Sequence, residues 1–256
     1  MKPISFRTKI MVGLIVSIVY ILFYCLERNE RFQVSYENRK RRSLYTDGFV
    51  CMFHPEYIKT ENIPCKQLQQ DILQTLPKGY TFLDYIYKID NTSLSSFHRD
   101  VTSSQHIYKT KYPVYTAILY KYDGEHLSVC PRSNKTYPFV FSTIVNVSGK
   151  AGTVFLFDSD LLHAGMKNGC KKREVIQYKI CHKEDVSLLP HLHKIRAHKR
   201  DACTINIGDN LIRKSSYYFQ LPINTVLYPL MIKRESDESI IGTIQSYLPL
   251  QFYNNV

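Results

Sequence analysis

Residues 151–165 read AGTVFLFDSDLLHAG. A glycine turn opens the stretch, an apolar β-branched and aromatic run follows, and the run ends on Asp158 before LLH delivers His163. Such a run, bounded by turn residues, is a strand by composition. His163 therefore stands just beyond a strand end. Two further stretches belong with it. SSFHRDV (95–101) sets His98 and Asp100 one residue apart, so on extended backbone both side chains leave the same side. KKREVIQYKI (171–180) carries Arg173, ten residues after His163.

Two imidazoles and one carboxylate are the donor set that holds a divalent iron by one face and leaves the opposite face open for a co-substrate and oxygen. An arginine offers a planar fork that grips a carboxylate through two parallel hydrogen bonds. A lone HxD triplet is common. The joint pattern is more specific: HxD, a strand-rich gap of 62 residues, LFDxxLLH, then arginine ten residues later.

Outward from these pieces the chain is rich in strands. YTFLDYIYKI, YPVYTAILYKY, PFVFSTIVNV, GTVFLFD and REVIQYKIC are separated by turn clusters at Asp123–Gly124, Pro131–Asn134, Ser148–Gly152 and Asn168–Gly169. Short strands at this spacing predict a sandwich or barrel. In the last strand Ile176, Tyr178 and Ile180 share one face, while Arg173, Val175 and Gln177 share the other, so Arg173 can look into a barrel mouth. One helix is expected after Pro64, where Leu68, Ile72 and Leu76 recur every fourth residue until Pro77–Gly79 ends it. HKEDVSLLPHLHKIRAHKR reads as a solvated helix or loop, and the stretch from Leu221 to Val256 as an extension packed on the core.

With 256 residues, 44% apolar and 13% aromatic, the chain is of folded, globular composition. Its formal charge of +12 is concentrated at Arg39–Arg42 and His191–Arg200. No nucleic-acid-binding pattern accompanies it, so solvated surface charge is the reading and no nucleic-acid partner is expected. Ile10–Leu26 is a run of 17 uncharged residues preceded by Lys2, Arg7 and Lys9. No small-residue cleavage site follows, which predicts an uncleaved signal anchor across a lipid bilayer. Basic residues also follow the run, so charge does not fix its orientation. Sequons at Asn91, Asn134 and Asn146, and an even six cysteines beyond the span, fit a body in the ER or secretory lumen with disulfides of unread pairing. The expected organisation is a tail (1–9), the anchor (10–26), a basic stem (27–50), a core (51–182) and a C-terminal extension (183–256).

Together these stretches resemble the Fe(II)/2-oxoglutarate-dependent oxygenases, and most of all their phytanoyl-CoA dioxygenase branch. AGTVFLFDSDLLHAG looks like that branch's second iron-binding histidine segment, YTAILYKYDGEHL like its preceding strand and turn, and LSVCPRSNKTYP like the segment between, with Asn134 where a histidine is usual. The resemblance covers Tyr80 to Cys181. It implies a mainly β fold, a double-stranded β-helix of jelly-roll or cupin type with flanking helices; the uncharged N-terminal run, outside the resemblance, sets one transmembrane helix before it. It implies that His98, Asp100 and His163 bind Fe(II) and that Arg173 pairs with the distal carboxylate of 2-oxoglutarate. Tyr115 falls where the branch places an aromatic near the co-substrate, with Tyr120 as the alternative in another register. Val175 stands where the branch often has Ser or Thr. The implied activity is a membrane-anchored dioxygenase that consumes 2-oxoglutarate and O2, hydroxylates an unidentified organic substrate and releases succinate and CO2, with ascorbate as a candidate reductant. The competing readings are a catalytically inactive jelly-roll binding protein of the membrane, and a membrane attachment glycoprotein in which the motif is accidental.

Overall fold

Strand alternation with period two sorts each side chain to one of two faces. In the computed structural model the described residues are 5–26, 28–34, 42–91, 96–136, 143–166, 172–200, 213–217 and 219. They form helices α1 (Phe6–Leu26) and α2 (Lys66–Thr75) and strands β1 (Arg28–Gln33), β2 (Phe49–Phe53), β3 (Tyr80–Phe82), β4 (Tyr85–Asp90), β5 (Tyr115–Tyr120), β6 (Gly124–Val129), β7 (Thr143–Gly149), β8 (Thr153–Asp158), β9 (His163–Gly165), β10 (Glu174–His182) and β11 (Ile195–Arg200), with short helical turns between. The chain is mainly β. One sheet runs β11-β4-β10-β5-β8-β2, with β3 also paired to β10; the other runs β1-β7-β6-β9. Both are mixed: β1 lies parallel to β7 and β11 parallel to β4, and the remaining pairs are antiparallel.

The two sheets bury their facing sides against each other. Ile118, Tyr120, Phe155, Phe157 and Val175 of the larger sheet meet Leu127, Val129, Val145 and Val147 of the smaller one. The larger sheet's other side carries Ala117, Leu119, Leu156, Ile176, Tyr178 and Ile180, covered by Leu68, Ile72 and Leu76 of the α2 segment. Each fully buried aliphatic or aromatic side chain stabilises the fold by about 1.5–3 kcal/mol. Gly48, entering β2 with φ +83, needs to be glycine on two counts. The left-handed backbone disfavours a side chain, and an added Cβ would lie 2.8 Å from Asn134 Oδ1.

Several expectations are revised. The basic stem is not free of the fold: Arg28–Gln33 is a strand whose Phe32 packs, with Val34, into the inter-sheet core. A charged strand at a sheet edge carries few apolar residues, so no apolar alternation announced it. YTFLDYIYKI divides into β3 and β4, both paired to β10. IRAHKR joins the larger sheet as β11, and Leu189 and Leu192 before it are buried. The apolar run of the N-terminus is helical throughout, and the described side chains of α1, which end at Ile18, are exposed. Among the described residues no helix is long and apolar enough to cross a membrane, so the transmembrane span expected over 10–26 is not a feature of the described structure. Cys51, Cys65 and Cys181 are free thiols, which removes half of the six cysteines from any disulfide scheme. Two sequons are spent on folding: Asn134 Nδ2 donates to Asp158 and Asn146 Nδ2 to Asn29 Oδ1. Tyr218, Cys170, Cys203 and the stretch 220–256 lie outside the described residues.

Truncating Ile72 to alanine would leave a cavity between α2 and the sheet, because the side chain is fully buried. The expected loss is about 2–5 kcal/mol of unfolding free energy, read from urea melts. An unchanged midpoint would mean that α2 does not hold the sheet.

Candidate metal centre

His98 and His163 face each other across an antiparallel bridge. The N–H of each donates to the other's carbonyl, at 2.9 and 3.0 Å. Side chains of such a pair leave the same face from Cα atoms about 5.5 Å apart. The rings accordingly sit with centroids 4.3 Å apart. β9 is held in turn by β6, where Val129 pairs with His163. Asp100 is fixed by its own N–H, which donates to Ser159 O at 2.8 Å. It then opens a 3-10 turn over Val101–Ser103.

Each imidazole is oriented by its Nδ1, which lies 2.9 Å from a backbone carbonyl: Ser96 O for His98 and Leu161 O for His163. A carbonyl only accepts, so Nδ1 carries the proton and Nε2 keeps its lone pair. Both Nε2 atoms face Asp100 Oδ1, at 3.9 Å from His98 and 3.6 Å from His163. Burial holds both imidazoles below their ordinary pKa, that of His163 at about 4. Burial would raise the Asp100 carboxyl, but the Lys179 ammonium outweighs it and holds the carboxyl well below the usual range. Two neutral nitrogen donors thus meet one anionic oxygen. The three ligand atoms lie within 4.8 Å of one another. An ion about 2.1 Å from each donor places adjacent donors about 3 Å apart, so small rotamer adjustments close the set. The residues present fit a divalent metal.

The far oxygen of Asp100 is held from the sheet. Oδ2 accepts from Lys179 Nζ at 2.7 Å, Thr116 Oγ1 at 2.6 Å and Gln177 Nε2 at 3.4 Å. Gln177 and Lys179 alternate along β10 on the same face as Val175 and, just before the strand, Arg173. Extending that parity by one step past Gln177 points to Lys179, which the sequence reading left out.

Arg173 is buried, with its Cζ 5.6 Å from the centroid of the Tyr120 ring. Tyr120 stacks on His126 at 4.0 Å, and its hydroxyl donates to His126 O. The strand register shifts between Glu125 and Leu127, and such a bulge turns a side chain inward. His126 is buried there. Burial first, and the Arg173 guanidinium second, hold its imidazole down at about 4.

Tyr115, expected beside a co-substrate, requires correction. Thr116 and Tyr120 take the inner face of β5, so Tyr115 takes the outer one. It packs with Tyr80, ring centroids 5.3 Å apart, in the cluster beneath α2. The alternative register, with Tyr120 against Arg173, is the one the strand adopts. The C-terminal extension also reaches this centre: Arg213 Nη1 donates to Gly165 O, and the Phe97 N–H donates to Ser216 Oγ at 2.7 Å.

No family model matches this chain, and no curated protein does. Solved structures similar to it include EvdMO1, at 14% identity and TM-score 0.40, covering 57% of this chain and 49% of that one. EvdO2 from Micromonospora carbonacea var. aurantiaca, complexed with 2-oxoglutarate, is similar at 9% identity and TM-score 0.41, covering 58% and 91%. A non-heme alpha ketoglutarate dependent epimerase, SnoN from nogalamycin biosynthesis, is similar at 13% identity and TM-score 0.38, covering 57% and 82%. The chain thus spans about half the length of EvdMO1 and most of the other two. Nothing is carried over to this chain from likenesses of that size.

The titration of His126 has a consequence for acid stability. An imidazole held at about 4 in the fold, against 6.5 as the ordinary value, adds stability that is present above 6.5 and lost as pH falls towards 4. Asp158, which burial raises to about 6, runs the opposite way and loses its contribution as pH rises from 3.8 through 6. Replacing His126 with phenylalanine should keep the stack on Tyr120 and remove the first dependence. Between pH 7 and 4 the variant should lose on the order of 3 kcal/mol less than wild type in denaturant melts. Parallel pH profiles would show that the imidazole is not held neutral.

Proposed function

We propose that the chain is a non-haem Fe(II)- and 2-oxoglutarate-dependent oxygenase. The observation that carries the reading is the convergence of His98 Nε2, His163 Nε2 and Asp100 Oδ1 on one point, with both imidazoles in the ligating tautomer. The bound iron and co-substrate would supply the oxidising power: 2-oxoglutarate and O2 become succinate and CO2, and one oxygen atom enters a C–H bond of the substrate. The chain's own residues orient and exclude water. His98, His163 and Asp100 hold the ion by one face. Arg173 offers its fork to the distal carboxylate of the co-substrate from the wall formed by Tyr120 and His126. Val175 carries no hydroxyl to share that carboxylate, and the Tyr120 ring lies beside the guanidinium. Phe157, 4.6 Å from the His163 ring, and the inter-sheet apolar cluster keep the surroundings dry.

The finer fold reading, a double-stranded β-helix, is supported by two facing sheets with the ligands at the β6–β9 end. The phytanoyl-CoA dioxygenase branch is supported by the AGTVFLFDSDLLHAG, YTAILYKYDGEHL and LSVCPRSNKTYP segments. Attachment to a lipid bilayer is supported by the uncharged run Ile10–Leu26 and by the exposure of Ile10, Met11, Leu14, Ile15 and Ile18 on α1. Deleting residues 1–26 should move the protein from the membrane pellet to the supernatant on fractionation. Full-length protein that stays soluble without detergent would refute attachment.

Purified full-length protein loaded with Fe(II) should convert 2-oxoglutarate to succinate in air, slowly even without its substrate. Asp100→Ala and His163→Ala should each abolish that turnover. Arg173→Lys, which keeps the charge but loses the fork, should raise KM for 2-oxoglutarate about tenfold or more with a smaller change in kcat. Succinate formation by wild type that is indifferent to chelators would sink the reading.

A further inference from the structure

Lys179 lies in the middle of β10 and is 1% exposed. A buried ammonium gives up its hydration and must recover it from the protein. It has three N–H groups and meets three acceptors: Asp100 Oδ2 at 2.7 Å, Ser103 Oγ at 2.8 Å and Thr116 Oγ1 at 2.8 Å. All its donors are thereby spent, so the head is fixed. Thr116 and Gln177 add their own hydrogen bonds to the same carboxylate oxygen. Oδ2 is saturated from the sheet, and Oδ1 is the oxygen turned to the two imidazoles.

We propose that Lys179 is a positioning residue for the metal ligand Asp100: by holding Oδ2 it restricts the carboxylate to one-oxygen binding. The inference rests on the metal-site reading above. Its chemical consequence follows from counting positions. A six-coordinate ion held by two imidazoles and one carboxylate oxygen would keep three positions open, two for a chelating 2-oxoacid and one for oxygen. A carboxylate bound through both oxygens would leave none. By holding Oδ2, Lys179 would keep that last position free.

The test uses Ni(II), which does not react with oxygen at such sites, on the full-length protein. Crystals of Ni(II)-loaded wild type should show Oδ1 alone on the ion, with Nζ of Lys179 still on Oδ2. Ni(II)-loaded Lys179→Met should show both carboxylate oxygens on the ion, and calorimetry should find its 2-oxoglutarate binding weaker by about tenfold or more. Lys179→Gln, which keeps an N–H donor without the charge, should restore one-oxygen binding. Wild type with both oxygens on the ion would overturn the proposal without recourse to any variant. So would a methionine variant with one-oxygen binding and unchanged 2-oxoglutarate affinity, or a glutamine variant that binds through both oxygens. Wild type that takes up no Ni(II) at all would instead refute the metal site itself.

Discussion

A slip of one residue in β10 would exchange its two faces, and nearly everything else in the molecule depends on that not happening. In its present register Ile176, Tyr178 and Ile180 seal against α2, while Val175, Gln177 and Lys179 enter the inter-sheet space with Arg173 just ahead of them. The wrong register would bury two cations and an amide beneath α2 and leave Asp100 without its partners. Pairing on both edges resists such a slip, since β5 holds Val175–Ile180 on one side while β4 and β3 share the other. The strand is also buried along almost its entire length. Hydrophobic patterning and the charge constraint therefore select the same register from opposite faces.

Charge in the interior is arranged in two groups. Lys179 and Asp100 form one, and Arg173 with Tyr120 and His126 forms the other. Buried ion pairs contribute little to net stability, but losing one partner is costly, because it strands the other charge away from water. The first group is balanced by itself, which lets the chain fold with Asp100 already in place beside the two imidazoles. The second sets the Arg173 guanidinium beside an imidazole that is kept neutral.

The three candidate metal donors were legible because they depend on short spacings: HxD on one segment and LLH after a strand. Arg173 was legible from strand parity. The same parity, carried one step past Gln177, leads to Lys179, but a lysine in an apolar strand reads as a solvated head on a flexible stem. Only the acceptors brought from Asp100, Ser103 and Thr116 make its burial tolerable, and these are 63 to 79 residues away in sequence. Tyr115 and Tyr120 sit at opposite ends of one strand and on opposite faces. The family resemblance placed an aromatic in this strand at Tyr115 or, in another register, Tyr120, and the phase decides which of the two meets Arg173. β1 could not be read because its pairing is made by backbone, and most of its side chains are charged or polar.

The short helix at 213–217 joins the two histidine segments from outside the sheets. Arg213 donates to Gly165 O, two residues beyond His163, and its guanidinium lies 4.7 Å from the Phe97 ring, beside His98. Ser216 accepts the Phe97 N–H, and Tyr217 packs edge-on against the same ring. The His98–His163 bridge is an isolated pairing rather than part of a long ladder, so the sheets alone leave it short of support. Contacts from 213–217 reach the backbone on both sides of that bridge. The geometry of the candidate metal centre is therefore a property of the folded whole, with segments more than a hundred residues apart meeting to hold two imidazoles in place.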